Sequence, residues 1–288
     1  MGACNPSADR PGGKRATAHH AFRGPFRGGH RSPGHCLVTN RFESRRDSSM
    51  KLLVSGTDTA IGKTVVACSI LHALHSRGVR GIGMKPVAAG ITAQGTWDDV
   101  EQIRRASPVS AAVEYTAPYR LRAPASPHFA AREDGATIRQ EVVLAALDRL
   151  EQLADVVVIE GVGGFRVPLS GELDSADLAK AIAAPILMVV PMRLGCINHA
   201  LLTAEAVAGR GLKLLGWTAN AGIDPDYSRI APTVDTITSR IHAPCVGVLP
   251  RLADLDFGQG GANHLNIDLI LNRLRSPVAL GDASIGHR

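Results

Sequence analysis

The residues best placed to do chemistry form one run, Gly56-Thr57-Asp58-Thr59-Ala60-Ile61-Gly62-Lys63-Thr64. Its Gly-Lys-Thr ending is what a phosphate loop needs. The glycine lets backbone amides close round an anion, the lysine reaches β- and γ-phosphate oxygens, and the hydroxyl can ligate Mg2+. Gly62, Lys63 and Thr64 hold those three places. The spacing departs from the orthodox pattern, because five residues instead of four separate Gly56 from Gly62, and Thr57 stands where the first glycine is expected. A chance Gly-Lys-Thr is common, so its placement carries the weight. Lys51–Ser55 before it is a short apolar run that reads as a buried strand. Lys63–Arg77 after it carries Val65, Val66, Ile70, Leu71 and Leu74 at helical spacing and stops at Gly78.

Other polar residues close apolar runs further along. Lys85 ends Arg80–Lys85 and precedes Pro86. Alone it is a solvated strand-end lysine; facing the phosphate loop it is a fixed cation able to stabilise a transferring phosphoryl group. Glu160 closes Asp155–Glu160, DVVVIE, where a carboxylate is costly unless paired or bound to metal. Gly161, Gly163 and Gly164 follow and would let backbone approach substrate and phosphates closely. Asp98 and Asp99 enter a helix, where Asp is ordinarily a cap. Gly195-Cys196-Ile197-Asn198 opens a helix after the strand run Pro185–Val190, and free amides at such a start favour an anion. Cys196 reads as a small buried residue, since no base is paired with it. Asn220 ends Leu214–Asn220 and is either a turn former or an amide suited to an adenine edge.

These groups need a frame that brings strand ends together. Pro244–Leu249 is a further strand candidate, and helical stretches fall at Ile138–Leu153, 196–209 and 226–240. Apolar strands alternating with amphipathic helices predict an α/β fold of the P-loop NTPase type, a mostly parallel sheet with helices on both faces. Ligands in such sheets bind beyond the carboxyl ends of the strands, where the polar residues above stand. Residues 50–288 read as a single domain.

Residues 1–49 are rich in Gly, Pro, Arg, His and Ser and carry no helical or strand period, which predicts a disordered basic extension. Its glycines and prolines would break a transit-peptide helix, and Met50 reads as the natural start. The net charge of +6 comes from this segment: it holds nine Lys and Arg against three Asp and Glu, leaving 23 of each in the remainder. A nucleic-acid partner is therefore not indicated. No apolar run is long enough to predict a membrane helix. Five scattered cysteines without a Cys-x-x-Cys pair predict a reduced, cytoplasmic chain without structural zinc.

The run Gly-Thr-Asp-Thr-x-x-Gly-Lys-Thr resembles the phosphate loop of dethiobiotin synthetases. Lys85-Pro86-Val87-Ala88-Ala89-Gly90, Ser126-Pro127-His128, Glu160-Gly161-Val162-Gly163-Gly164, Pro168-Leu169-Ser170, Gly195-Cys196-Ile197-Asn198-His199-Ala200 and Gly216-Trp217-x-Ala219-Asn220 are similar to further family segments, in the family's order. The resemblance covers about residues 50–250. It implies that 7,8-diaminononanoate captures CO2 as a carbamate and is closed to dethiobiotin with ATP and Mg2+. It implies catalytic roles for Thr59, Lys63 and Lys85, the last against the charge on the carbamate and phosphoryl group. Ala60, Ile61, Gly62, Lys63, Thr64 and Val65 would hold ATP together with Asp99, Glu160, Gly161, Val162 and Gly163. Asn220, Ala221, Leu249, Pro250 and Arg251 would surround the base. Thr64, Asp99 and Glu160 would ligate Mg2+, Asp99 aligning better than Asp98. Ala89, Gly163, Gly195, Cys196 and Asn198 would meet the diamine, the α-helical start at Gly195 reaching across a homodimer. Ala89 stands where the resemblance implies a serine, and so lacks that serine's hydrogen bond to the diamine.

The rival is a partition-type ATPase switch that binds a protein partner. Such proteins share this fold and carry a signature lysine near the loop's start, where this chain has Asp58. Cobyrinate-type amide synthases are a second rival, but they add a glutaminase domain for which the stretch after Pro250 is too short.

Overall fold

A computed structural model describes residues 49–252 and 258–276 of the chain. The expectation for residues 1–49 thus falls, save Ser49, outside the described residues. In chain order the elements are β1 (Met50–Gly56), α1 (Lys63–His75), β2 (Gly81–Met84), β3 (Val87–Ala89), α2 (Asp98–Ala106), α3 (Val113–Thr116), β4 (Tyr119–Leu121), α4 (Pro127–Glu133) and α5 (Gln140–Glu151). There follow β5 (Val156–Glu160), α6 (Ser175–Ile182), β6 (Ile186–Pro191), α7 (Cys196–Gly209), β7 (Leu214–Asn220), α8 (Ile230–Arg240), β8 (Cys245–Leu249), α9 (Gln259–Ala262) and α10 (Ile267–Arg275).

Six strands form one sheet in the order β2-β5-β1-β6-β7-β8, every pair parallel. The sequence dictates which strands lie inside. β5, VVVIE, is buried at every residue, as an unbroken β-branched run must be when helices cover both faces. One apolar cluster packs α4, α5 and α6 onto the sheet through residues such as Ala130, Leu147 and Ile182. A second packs α1 and α10 onto the other face through Leu71, Leu74 and Ile270. A third, round the buried Trp217, joins α7 and α8 to β6 and β7. The predicted α/β frame with helices on both faces is what the structure shows.

Register brings the polar strand ends level. Val54 of β1 stands beside Glu160 of β5, Met84 of β2 beside Ile159, and Asn220 of β7 between Pro191 of β6 and Leu249 of β8. Lys85, Glu160 and Asn220 therefore emerge along one edge, with the phosphate loop rising from β1 between them.

β3 and β4 form a separate parallel pair, Val87 to Ala89 against Tyr119 to Leu121. Neither was expected, because three residues are too few to show a period. The expected helix at 226–240 begins only at Ile230, after an Asx turn in which Asp226 N–H donates to Asp224 Oδ1. Among the described residues no helix is long and apolar enough to cross a membrane.

Candidate active site

The phosphate loop runs from Gly56 to the first turn of α1, with Gly62 at the helix N-cap in left-handed backbone (φ +85°). Lys63 is buried, and its Nζ turns back to donate to the Asp58 carbonyl at 2.6 Å. Burial, and then the nearby Lys85 cation, pull the Lys63 pKa down to about 8. Thr59 N–H donates to Asp58 Oδ1 at 2.7 Å. Gly163, also left-handed (φ +62°), lies so close that a Cβ there would sit 3.4 Å from Thr59 Oγ1 and 2.9 Å from Val167 Cγ2. Backbone after β5 thus packs in contact with the phosphate loop, and a side chain at Gly163 would crowd Val167.

Lys85 is the hub. It lies just past β2, and its Nζ is 2.6 Å from Glu160 Oε1, 2.9 Å from Asp99 Oδ2 and 3.4 Å from the Gly161 carbonyl. Burial disfavours its charge, but the Glu160 and Asp99 carboxylates outweigh burial and hold its pKa above the ordinary lysine value. Glu160 Oε1 also accepts from the Thr64 hydroxyl at 2.9 Å, which ties the loop to β5. Glu160 is only 2% exposed, and its Oε2 is buried without a hydrogen-bond partner. A carboxylate oxygen is seldom left so unless something else answers it. Thr64 meets Glu160 directly and Asp99 joins them through Lys85 Nζ, and oxygen groups of this kind are what hard divalent cations take. Asp99 also receives Val100 N–H through Oδ1, while Asp98 is exposed at the start of α2.

The remaining candidates sit around this centre. Asn220 is buried; its Nδ2 donates to the Ile61 carbonyl at 2.9 Å and its Oδ1 accepts from Gly222 N–H at 3.0 Å. Ala221 N–H donates to the Leu249 carbonyl at 2.8 Å, and Gly222 packs near Pro250 and Arg251, so these residues share one corner beside the loop. Gly195 caps α7 in left-handed backbone, Cys196 is buried and Asn198 exposed. Ala89 sits on β3, partly buried against the apolar cluster under α4.

Two features escaped the sequence. Arg193 Nη2 lies 2.5 Å from Asp58 Oδ2, so the carboxylate that replaces a signature lysine receives a cation from the end of β6. The loop after β5 is pinned to α6: Arg166 and Arg210 both pair with Asp174, whose Oδ1 caps α6, and the Ser175 hydroxyl donates to the Phe165 carbonyl. The Arg193–Asp58 and Arg210–Asp174 pairs, far apart in the chain, have no local signal, whereas the Asp174–Asp177 capping box is a local pattern that marks the start of α6.

A family profile described as an AAA domain matches residues 50–259. The chain is 48% identical over 213 residues to an ATP-dependent dethiobiotin synthetase of Aromatoleum aromaticum, covering 73% of this chain and 94% of that one. The chain belongs to the ATP-dependent dethiobiotin synthetase family. A dethiobiotin synthetase of Ralstonia nicotianae is 46% identical over 223 residues, covering 76% of this chain and 96% of its own. Among solved structures, the MinC:MinD cell division complex of Aquifex aeolicus superposes with a TM-score of 0.50 over 80% of this chain and 97% of that one, at 14% identity. That likeness carries the P-loop NTPase fold alone; the sequence relatives carry the dethiobiotin synthetase family.

Proposed function

We propose that this chain makes dethiobiotin in biotin biosynthesis, by carboxylating 7,8-diaminononanoate with CO2 and closing the ring with ATP. The observation that carries the reading is the joining of Lys85, Glu160, Asp99 and Thr64 beside a phosphate loop, in a chain 48% identical to a dethiobiotin synthetase.

One amine of the diamine adds to CO2 and loses a proton, giving a carbamate. A carbamate oxygen attacks the γ-phosphorus of ATP, and ADP leaves. The second amine then attacks the carbamoyl carbon, and phosphate leaves as the ring closes. None of these steps needs a side-chain nucleophile, so the protein's contribution is orientation and charge. Lys85, held charged between two carboxylates, stabilises the carbamate and the transferring phosphoryl oxygens. Lys63 leaves the Asp58 carbonyl for the β- and γ-phosphates, and the Gly62 backbone with Thr59 closes round them. Thr64, Asp99 and Glu160, whose Oε2 is left without a hydrogen-bond partner, would hold Mg2+. When bound, Mg2+ neutralises charge on the phosphate oxygens. Ala60, Ile61 and Val65, with Gly161, Val162 and Gly163, frame the triphosphate, and Asn220, Ala221, Leu249, Pro250 and Arg251 frame the base. Ala89, Gly163, Gly195, Cys196 and Asn198 serve the diamine.

The working form in this reading is a homodimer in the cytoplasm. Leu194, 91% exposed directly before Gly195, and Leu202, 56% exposed on α7, are large apolar side chains open to contact with a second copy. Free thiols at Cys68, Cys196 and Cys245 suit a reducing compartment. The test in cells is rescue: the full chain should restore growth without biotin to a bacterium lacking its own dethiobiotin synthetase. Growth restored only by added dethiobiotin would count against the proposal.

A further inference from the structure

The phosphate loop concentrates unusual backbone at two residues, Ala60 with φ +55° and Gly62 with φ +85°. A residue with a Cβ holds left-handed backbone only where its surroundings over-determine it. Between the two lies Ile61, and its carbonyl is gripped from a distance: Asn220 Nδ2, 159 residues along the chain, donates to it at 2.9 Å.

Asn220 is itself fixed. It ends β7, its carbonyl accepts from Met192 N–H at 2.8 Å, and its Oδ1 accepts from Gly222 N–H at 3.0 Å. It is 5% exposed. The fit against the loop is close enough that a Cβ on Gly62 would fall 2.2 Å from Asn220 Nδ2. A carboxamide has two N–H groups and two lone-pair sites on oxygen. One of each is spent inside the protein here, which leaves one of each for the edge of a base.

We infer that Asn220 is a positioning residue of the phosphate loop, clamping the Ile61 carbonyl between the two left-handed residues so that the amides of Gly62, Lys63 and Thr64 are set for a polyphosphate whether or not a base is present. The inference rests on the Mg-ATP reading of the site and deepens it: one side chain joins base recognition to phosphate recognition.

A ligand without a base separates the two roles. With the full chain, binding of inorganic tripolyphosphate and of ATP, each with Mg2+, is measured by calorimetry for the native protein, Asn220→Ala and Asn220→Asp. Loss of the clamp leaves a buried carbonyl unanswered, so tripolyphosphate should lose affinity by about ten-fold, and ATP, which also loses its base contact, by at least that much. In turnover the KM for ATP should rise about as much as ATP affinity falls, with the KM for the diamine unchanged. Asn220→Asp keeps the volume and the acceptor for Gly222 but turns an oxygen towards the Ile61 carbonyl, so it should lose at least as much. Tripolyphosphate affinity unchanged while ATP affinity falls would make Asn220 a reader of the base alone and overturn the inference. Should a variant not fold, NMR of the native ligand-free chain decides: one Asn220 side-chain amide proton should exchange slowly, and free exchange of both would overturn the clamp. Tripolyphosphate binding needs no turnover, so a native protein that fails to make dethiobiotin would sink the proposed reaction and leave this test standing.

Discussion

Lys85 Nζ lies 2.6 Å from Glu160 Oε1, each group just at the end of one of two neighbouring parallel strands, both groups nearly removed from solvent. Such a pair is costly to break from one side, because the partner is left as an uncompensated buried charge. Lys85→Ala should therefore cost about 3–5 kcal/mol of stability and lower kcat/KM by about 10^2–10^3. Adding Glu160→Gln should return much of the stability and none of the activity. Denaturant unfolding and steady-state turnover on the two variants separate the effects; activity regained in the double variant would contradict the catalytic role of Lys85.

Lys63 gives a pH dependence with a definite sign. Its pKa near 8 lies below the ordinary 10.5, so between those values the unfolded chain holds the proton that the folded chain has released. The cost this buried cation imposes on folding is present below that window and relieved as pH rises through it. Binding runs the other way, since a neutral amine attracts phosphate less. ATP affinity of the diamine-free protein should fall as pH rises through about 8, and Lys63→Arg should show no such limb. Calorimetry across about pH 7 to 10 checks it.

Asp99 and Asp98 are adjacent in sequence and unlike in place. Asp99 reaches Lys85 at 2.9 Å, while Asp98 is exposed. Asp99→Asn should raise the Mg2+ concentration needed for half-maximal activity by about 10–100-fold. Asp98→Asn should leave it nearly unchanged, and the reverse ranking would transfer the metal role to Asp98.

If the proposed homodimer forms through the region round the start of α7, a charge at Leu194, just before that helix, or at Leu202 within it should yield monomers. Sedimentation of Leu194→Glu and Leu202→Glu at micromolar concentration reads this directly. Native protein that sediments as a monomer would remove the shared diamine site from the proposal.

Much of this site was legible because its residues are placed by local rules. A strand, a Gly-Lys-Thr and a helix announce the phosphate loop within one stretch, and strand ends mark Lys85, Glu160 and Asn220. Parallel register then brings them to one edge of the sheet without further information. What stayed hidden depends on pairs far apart in the chain. Asn220 shows as a strand-end amide, yet its bond to Ile61 is set by how β7 sits relative to β1, with β6 between them. Arg193 looks like any turn residue until the sheet brings it to Asp58. β3 and β4 are too short to show alternation and are held by pairing alone.

The most direct test of the central claim is phosphate release by the full chain from Mg-ATP and isotopically labelled bicarbonate, with and without 7,8-diaminononanoate, followed by mass analysis of the product. Release that depends on the diamine, with one labelled carbon in a ring-closed product, is the expected result. Release that ignores the diamine, or a product without the label, would contradict the assignment and leave an ATPase whose second substrate lies elsewhere.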